Sequence, residues 1–451
     1  MVRLDSCLRE IRSTLTLAFP IVVGHVSQML MGVTDSVMLG RAGTVPLAAS
    51  SFGGNVFAVF LVLGIGVMVP VAIFVARSRG AARPDEAAEY IRHGVALALC
   101  FGLLETLMMV GLSTQLTRFG QPPEVLAIVR PYFLWIAASL VPVLLYIALR
   151  QYAEAMGHPW GPMVIMLASV GVNAGLNWIF IYGNLGMPAL GLTGAGVATL
   201  LARIGAALAI FLWLRRDPKV HAAWPTHWFG RYAWDRYRAM MRVGFPTAGM
   251  LLFESSAFAA ASVMNGWLGT VPLAAHQIAI SCASLVFMIP LGLAIATGMR
   301  VSHAVGSGAR EDLRTIVFGS MGLAIAIMSG IALTFAFGGG VIAAWFVRDG
   351  AVIALAAQLL IVTALPQLFD TVQVVAASAL RGIMDVRVPA FITLVAYWGI
   401  ALPLGYVLGV RGPFGAVGVW SGLAGGLAFA AVLLTARFTR RTSAGNSYTH
   451  S

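Results

Sequence analysis

Long apolar runs separated by short charged or Pro/Gly-rich junctions recur twelve times along the chain. Six fall near residues 14–38, 49–76, 91–112, 130–150, 162–182 and 191–214, and six more near 239–264, 276–300, 316–337, 351–380, 389–409 and 414–437. A bilayer span needs about 20 mostly apolar residues, and lipid offers the backbone no hydrogen-bond partner, so each run must close its own bonds as a helix. The short alternating segments of a membrane barrel do not occur. The pattern predicts an all-α integral membrane protein of twelve transmembrane helices.

An internal repeat organises these spans. A shift of 226 residues lays 17–50 over 243–276 without a gap, and 13 of the 34 pairs are identical. They include Phe19-Pro20 with Phe245-Pro246, Ser36-Val37-Met38 with Ser262-Val263-Met264, and 43–49 with 269–275. Each copy carries six spans, an even number, so both enter the membrane from the same side as a parallel repeat. The expected division is an N-terminal lobe over 1–214, a linker over 215–238, and a C-terminal lobe over 239–451 that ends in a short basic tail. Sites for cargo and coupling ions belong near the midplane of such folds, which work by alternating access. The linker carries Trp224, Trp228 and Trp234; an amphipathic helix is expected there, with membrane-interface anchoring by the three rings as the alternative.

Composition agrees with lipid as the main solvent. Hydrophobic residues make up 59% of the 451 and charged residues 10%, against roughly 25% charged in soluble domains. The net charge of +12 raises nucleic acid as a partner, but placement argues against it. With the amino terminus in the cytoplasm, 23 of the 29 Lys and Arg fall at the termini and in the loops on that side. Arg41, Arg118, Arg130, Arg348 and Arg411 face the other side, and Arg203 lies mid-span. This positive-inside bias puts both termini in the cytoplasm. The first apolar run exceeds a signal-peptide core and lacks a clear cleavage site, which makes it an uncleaved first helix. Cys7, Cys100 and Cys282 have no metal or redox spacing and are expected to pack as apolar residues.

Candidate chemistry lies in the acids within spans: Asp35, Glu105, Glu254 and Asp370, with Glu154 at a border. A charge at the bilayer centre costs about 2.5–3.5 kcal/mol on insertion scales, so such residues are functional candidates. The interior of the second six-span half holds no Lys or Arg, and a buried carboxylate without a basic partner must take up a proton or a cation. Glu254 and Asp370 are therefore candidate sodium or proton sites, with Gln367, Thr371 and Gln373 as further oxygen donors; a hydrogen bond to a neighbouring helix is the alternative. Under the 226 shift Glu254 falls on Gln28, seven positions before Asp35, which sets the two lobes' acids on one helical face about 10 Å apart in depth. His25, Gln28, Gly32 and Asp35 form a polar stripe; Asn173 and Asn177 pair at i, i+4, and Thr193 opens the sixth span. These residues can gather around Asp35, although asparagines also serve as interhelical glue. Glu105 and Arg203 are expected to form a buried pair. Pro20 and Pro246 are candidate hinges, with static kinks as the alternative.

The stretch from Phe19-Pro20 through Thr34-Asp35-Ser36 to Pro46-Leu47-Ala48-Ala49 resembles the multidrug and toxic compound extrusion family. So do its repeat partner through Phe253-Glu254 to His276-Gln277, the run 173–183, and Arg381-Gly382 ahead of Pro389. The resemblance implies a NorM-type transporter: twelve helices, no cofactor, and sodium or proton as coupling ion. It carries the second-lobe cation role to Glu254 and Asp370, the first-lobe role to Asp35 with Asn173, Asn177 and Thr193, and drug contact to Asp35, Phe258, Gln277 and Asp349. It further implies a monomer in the bacterial cytoplasmic (inner) membrane that exports lipophilic organic cations. The alternative is a lipid-linked oligosaccharide flippase of a related fold, whose phosphate-bearing cargo calls for several cavity-facing Arg or Lys. An enzyme is not expected, because no nucleotide loop, nucleophile constellation or intramembrane metal spacing occurs.

Overall fold

The computed structural model describes residues 4–220 and 223–443, with side chains from Arg12 onward, so the Cys7 side chain lies outside the described residues. Seven helices lead to the middle of the chain: α1 (Leu4–Ala42), α2 (Thr44–Gly80), α3 (Pro84–Leu112), α4 (Pro123–Ala138), α5 (Leu140–Ala155), α6 (Trp160–Tyr182) and α7 (Leu192–Arg216). Seven more follow: α8 (Trp234–Trp267), α9 (Thr270–Ser307), α10 (Asp312–Ala344), α11 (Gly350–Gly382), α12 (Arg387–Leu394), α13 (Leu402–Gly405) and α14 (Gly415–Arg441). α4 and α5 make one span. α12 and α13 make another, widened by π-helical turns at Val395–Ala401 and Tyr406–Arg411.

Among the described residues, twelve stretches are long and apolar enough to cross a membrane, and each overlaps one run expected from the sequence. The helices outrun the apolar segments, as in Thr270–Ser307 against 276–300. Their polar ends suit the helix dipole. Asp85 and Glu86 open α3 and Asp312 opens α10, whereas Arg77 and Arg79 close α2 and Arg440 and Arg441 close α14.

Backbone geometry repeats with the sequence. Gly43 and Gly269, 226 residues apart, each carry a positive φ, 140° and 122°, at the sharp turn into the second helix of their half. A side chain would strain that turn.

The chain divides into two compact units, Val23–Ala248, and Met1–Val22 with Gly249–Ser451. Both divisions fall two residues after a proline inside a helix, Pro20 in α1 and Pro246 in α8. The units have thus exchanged the first parts of their lead helices. In the 23–248 unit, Gly66 of α2 abuts Ala248 so closely that a Cβ on Gly66 would run into the Ala248 backbone. In the other unit, Gly292 of α9 receives Val22, whose side chain a Cβ on Gly292 would meet first. Gly66 and Gly292, like Val22 and Ala248, are related by the 226 shift. Ala18 and Ile21 of the exchanged segment pack with Leu293, Ala296 and Ala324 in the second unit's core. In the first unit Leu39, Phe57, Met109 and Phe133 are among the core side chains.

The linker departs from expectation. Its described residues between α7 and α8 form turns and irregular backbone instead of an amphipathic helix. Trp224 and Trp228, both half-buried, pack against each other at 5.3 Å and against Phe211 at 5.5 and 5.7 Å. The Tyr152 hydroxyl donates to the Ala223 carbonyl at 2.7 Å, and the Ala233 N–H donates to His93 Nε2 at 3.0 Å. These bonds tie two of the linker's backbone groups to side chains of α5 and α3. Trp234 does stay open, 75% exposed. Cys282 is buried, whereas Cys100 is exposed.

Candidate cation sites

The first-lobe site assembles within the 23–248 unit from α1, α6 and α7. Helical spacing puts Asn173 and Asn177 on one face of α6, and both are fully buried. Asn177 Nδ2 donates to Asp35 Oδ1 at 2.5 Å and lies 3.3 Å from Asn173 Oδ1. The Tyr182 hydroxyl donates to the Met38 carbonyl at 2.7 Å and ties α6 to α1 beside Asp35. Asn177 Oδ1 is buried without a hydrogen-bond partner, a free acceptor one amide away from the carboxylate.

Thr199, not Thr193, supplies the hydroxyl: Thr199 Oγ1 donates to Asp35 Oδ2 at 3.5 Å. Thr193 sits in the opening turn of α7, six residues earlier. The missed signal was the i, i+4 spacing of Thr199 and Arg203, which puts them on one face.

Arg203 does not pair with Glu105. Its Nη1 donates to Ser139 Oγ at 2.5 Å, its guanidinium lies 4.5 Å from the Phe57 ring centroid, and its charge acts on Asp35. Glu105 of α3 is 2% exposed, and neither carboxylate oxygen has a hydrogen-bond partner. Similar depth along two helices did not bring the two groups to one interface.

The polar stripe on α1 divides between two neighbours. Asp35 meets α6 and α7, while His25 Nε2 lies 3.3 Å from Arg150 Nη2, which makes His25 a hydrogen-bonded packing residue. Arg150 Nε also lies 3.5 Å from Glu154, so the borderline acid has a basic partner.

The second-lobe site assembles within the other unit from α8, α11 and the first π-helical turn. Asp370 is 5% exposed and its Oδ1 has no hydrogen-bond partner; one turn earlier, the buried Gln367 Oε1 has none either. The charges of Glu254 and Asp370 act on each other. Thr371 turns its hydroxyl to the Gln367 carbonyl at 2.7 Å, and Gln373 is engaged with the Tyr397 hydroxyl at 3.3 Å. Tyr397 is fully buried on the π-helical turn, 6.2 Å from the Phe258 ring. Trp398 Nε1 donates to Ser256 Oγ at 3.2 Å and fixes that turn against α8 two residues beyond Glu254.

The expectation of no basic neighbour needs correction. Arg381 is buried at the end of α11 and its charge acts on Glu254, yet no ion pair joins the two among the described residues. The predicted span ended one residue before it. Tyr397 was missed because a period of 3.6 does not report a π-helical turn, a feature frequent at functional sites.

The three drug-contact candidates of this lobe separate. Phe258 packs beside Tyr397. Gln277 is exposed on α9. Asp349 caps α11, its Oδ1 accepting from the Ala351 and Val352 N–H groups at 2.8 and 3.1 Å.

The MatE family profile matches residues 20–179 and 246–407, once in each half. A protein of Mesorhizobium japonicum named probable multidrug resistance protein NorM is 34% identical over 442 residues, 96% of this chain and 94% of its own length. The multidrug resistance protein PmpM of Pseudomonas aeruginosa is 34% identical over 96% of this chain and 91% of its own. Among solved structures, the outward-facing conformation of a multidrug resistance MATE family transporter superposes with a TM-score of 0.88 at 22% identity, covering 97% of each chain. A family match in both repeats, full-length relatives and twelve candidate spans establish that this chain belongs to the MatE family of multidrug and toxic compound extrusion transporters, and is a multi-pass membrane transporter, not an enzyme.

Proposed function

We propose that the protein exports lipophilic organic cations, drugs among them, in exchange for sodium or protons moving inward through Glu254 and Asp370. One observation carries this reading: an acid pair in the second unit with buried acceptor oxygens, Asp370 Oδ1 and Gln367 Oε1, that no hydrogen-bond donor meets. Buried acceptors are costly unless something positive reaches them. Hard cations favour carboxylate and amide oxygens, and a lipophilic organic cation is drawn by the same acids and by aromatic faces such as Phe258. The likeness to NorM and PmpM supports drugs as cargo.

Asp35 serves as the second cation point, with Asn173, Asn177 and Thr199 as its oxygen neighbours. Pro20 and Pro246 are the hinges: each lead helix passes from one compact unit to the other two residues beyond its proline. Proline frees a backbone carbonyl there and permits bending. The positive-inside bias supports both termini in the cytoplasm and residence in the bacterial inner membrane. One chain carries both acid sites, which supports a monomer as the working unit.

The test is dye efflux from proteoliposomes with sodium and proton gradients imposed separately, comparing wild type with Glu254→Gln, Asp370→Asn and Asp35→Asn. Efflux driven by at least one gradient is expected to collapse in the second-lobe variants. Undiminished efflux in all three would reject the coupling.

A further inference from the structure

Outside the acid sites, one cavity of the second unit combines apolar and basic walls. It has a volume of about 340 Å³ at the ends of α12 and α14. Val388, Ile392 and Leu433 line one part, and Arg437, Arg440 and Arg441 the other. The arginines lie four to eight residues beyond Leu433 on α14, up to about 12 Å along the axis at 1.5 Å per residue. That offset matches the step from acyl chain to headgroup at a membrane surface. The apolar wall is open to the side: Val388 is 39% exposed, Leu433 37%, and the adjoining Phe391 and Val432 65% and 66%.

The basic wall is held in place. Arg437 grips Asp385 with two bonds, 2.8 and 3.0 Å, and Arg441 Nε reaches the same carboxylate at 3.1 Å. Arg314 of α10 donates to the Thr439 carbonyl at 2.9 Å and steadies the end of α14. Asp385 is the one carboxylate described against the three guanidinium groups lining the cavity, and it takes bonds from two of them. Arg440 is exposed and makes no described ion pair. Among the described residues the cavity therefore keeps a positive excess beside a laterally open apolar wall.

We propose that this cavity binds an anionic phospholipid from the leaflet on the arginine-rich side, its phosphate on Arg440 and Arg441 and an acyl chain along Leu433 and Ile392. A free anion would leave the apolar wall unused, and a zwitterionic lipid would leave the charge excess unmet. Basic pockets between transmembrane helices recognise such headgroups. The proposal rests on membrane residence but not on the coupling ion, so failure of one leaves the other standing.

The test is native mass spectrometry of the full chain in zwitterionic detergent, titrated with dioleoyl-phosphatidylglycerol or dioleoyl-phosphatidylcholine. The anionic lipid is expected to be retained at least about fivefold more, with R440Q and R441Q each cutting retention about fivefold and the double variant about 25-fold. R440K should restore retention to within about twofold, which separates lost charge from lost fold. Leu433→Gln should weaken retention, while inorganic phosphate should not displace the lipid. Equal retention of the two lipids, equal retention by wild type and the double variant, or displacement by inorganic phosphate would overturn the proposal.

Discussion

Asp35 takes hydrogen bonds from Asn177 and Thr199 and feels the charge of Arg203, whereas Asp370 keeps one carboxylate oxygen without a partner and has a second acid acting on it. Both acids sit on candidate spans of repeat-related units. Under the proposed function, this contrast assigns the two copies different shares of the work. One holds an acid already met by donors, so a cation arriving there would have to displace bonds that exist. The other offers a carboxylate oxygen that no described donor meets, so a cation or a proton binding there would start from an unmet need.

The strongest way to break this contrast is to neutralise each acid in turn. Asp370→Asn should reduce gradient-driven efflux more than about 100-fold, since even the partners of cation ligands are worth about 10–100-fold in affinity. Asp35→Asn keeps an acceptor for Asn177 and loses mainly a charge-assisted bond, about tenfold. Gradient-driven dye efflux in proteoliposomes reads both. Equal losses would mean that the two sites are not differentiated.

Much of the architecture around these acids was legible in the chain, and what was not has a physical reason. Span number, the repeat and the α6 asparagine pair follow from hydrophobic run length and 3.6-residue spacing, which backbone satisfaction in lipid makes reliable. Partners across helices do not follow from depth alone. Arg203 turned to Ser139 and Phe57 instead of Glu105 because rotation about the helix axis, set by packing, decides which neighbour a side chain meets. Thr199, by contrast, was legible from its i, i+4 spacing to Arg203. The exchange of α1 and α8 segments was invisible because glycine contacts such as Gly66 with Ala248 join residues far apart in sequence.

That exchange gives the next comparison. A Cβ at Gly66 meets the Ala248 backbone, which cannot turn aside, while one at Gly292 meets the Val22 side chain first. Gly66→Ala should therefore cost about 2–3 kcal/mol and Gly292→Ala about 1 kcal/mol, within the usual range for overpacking. Thermal unfolding in detergent measures both, and equal costs would mean the two junctions are packed alike. At the first-lobe site itself, Thr199→Val should weaken Asp35-dependent efflux about fivefold, the worth of one hydrogen bond. Thr193→Val should leave it unchanged; the reverse result would return the site to the residue read from the sequence.

The smallest effect carries a sign. Glu105 is a third acid in the 23–248 unit, buried and without a hydrogen-bond partner, and at the 226 shift the other unit carries Ile331 in its place. If Glu105 paired with Arg203, its removal would strand a buried guanidinium and cost about 3–5 kcal/mol. The geometry gives Arg203 other partners, so Glu105→Leu removes a desolvated carboxyl that nothing compensates. Its unfolding midpoint should stay level or rise, by the equivalent of about 1 kcal/mol, and efflux should be retained. A clear fall in the midpoint would show that the carboxyl has a partner after all, and would move Glu105 to the side of the well-met acids with Asp35.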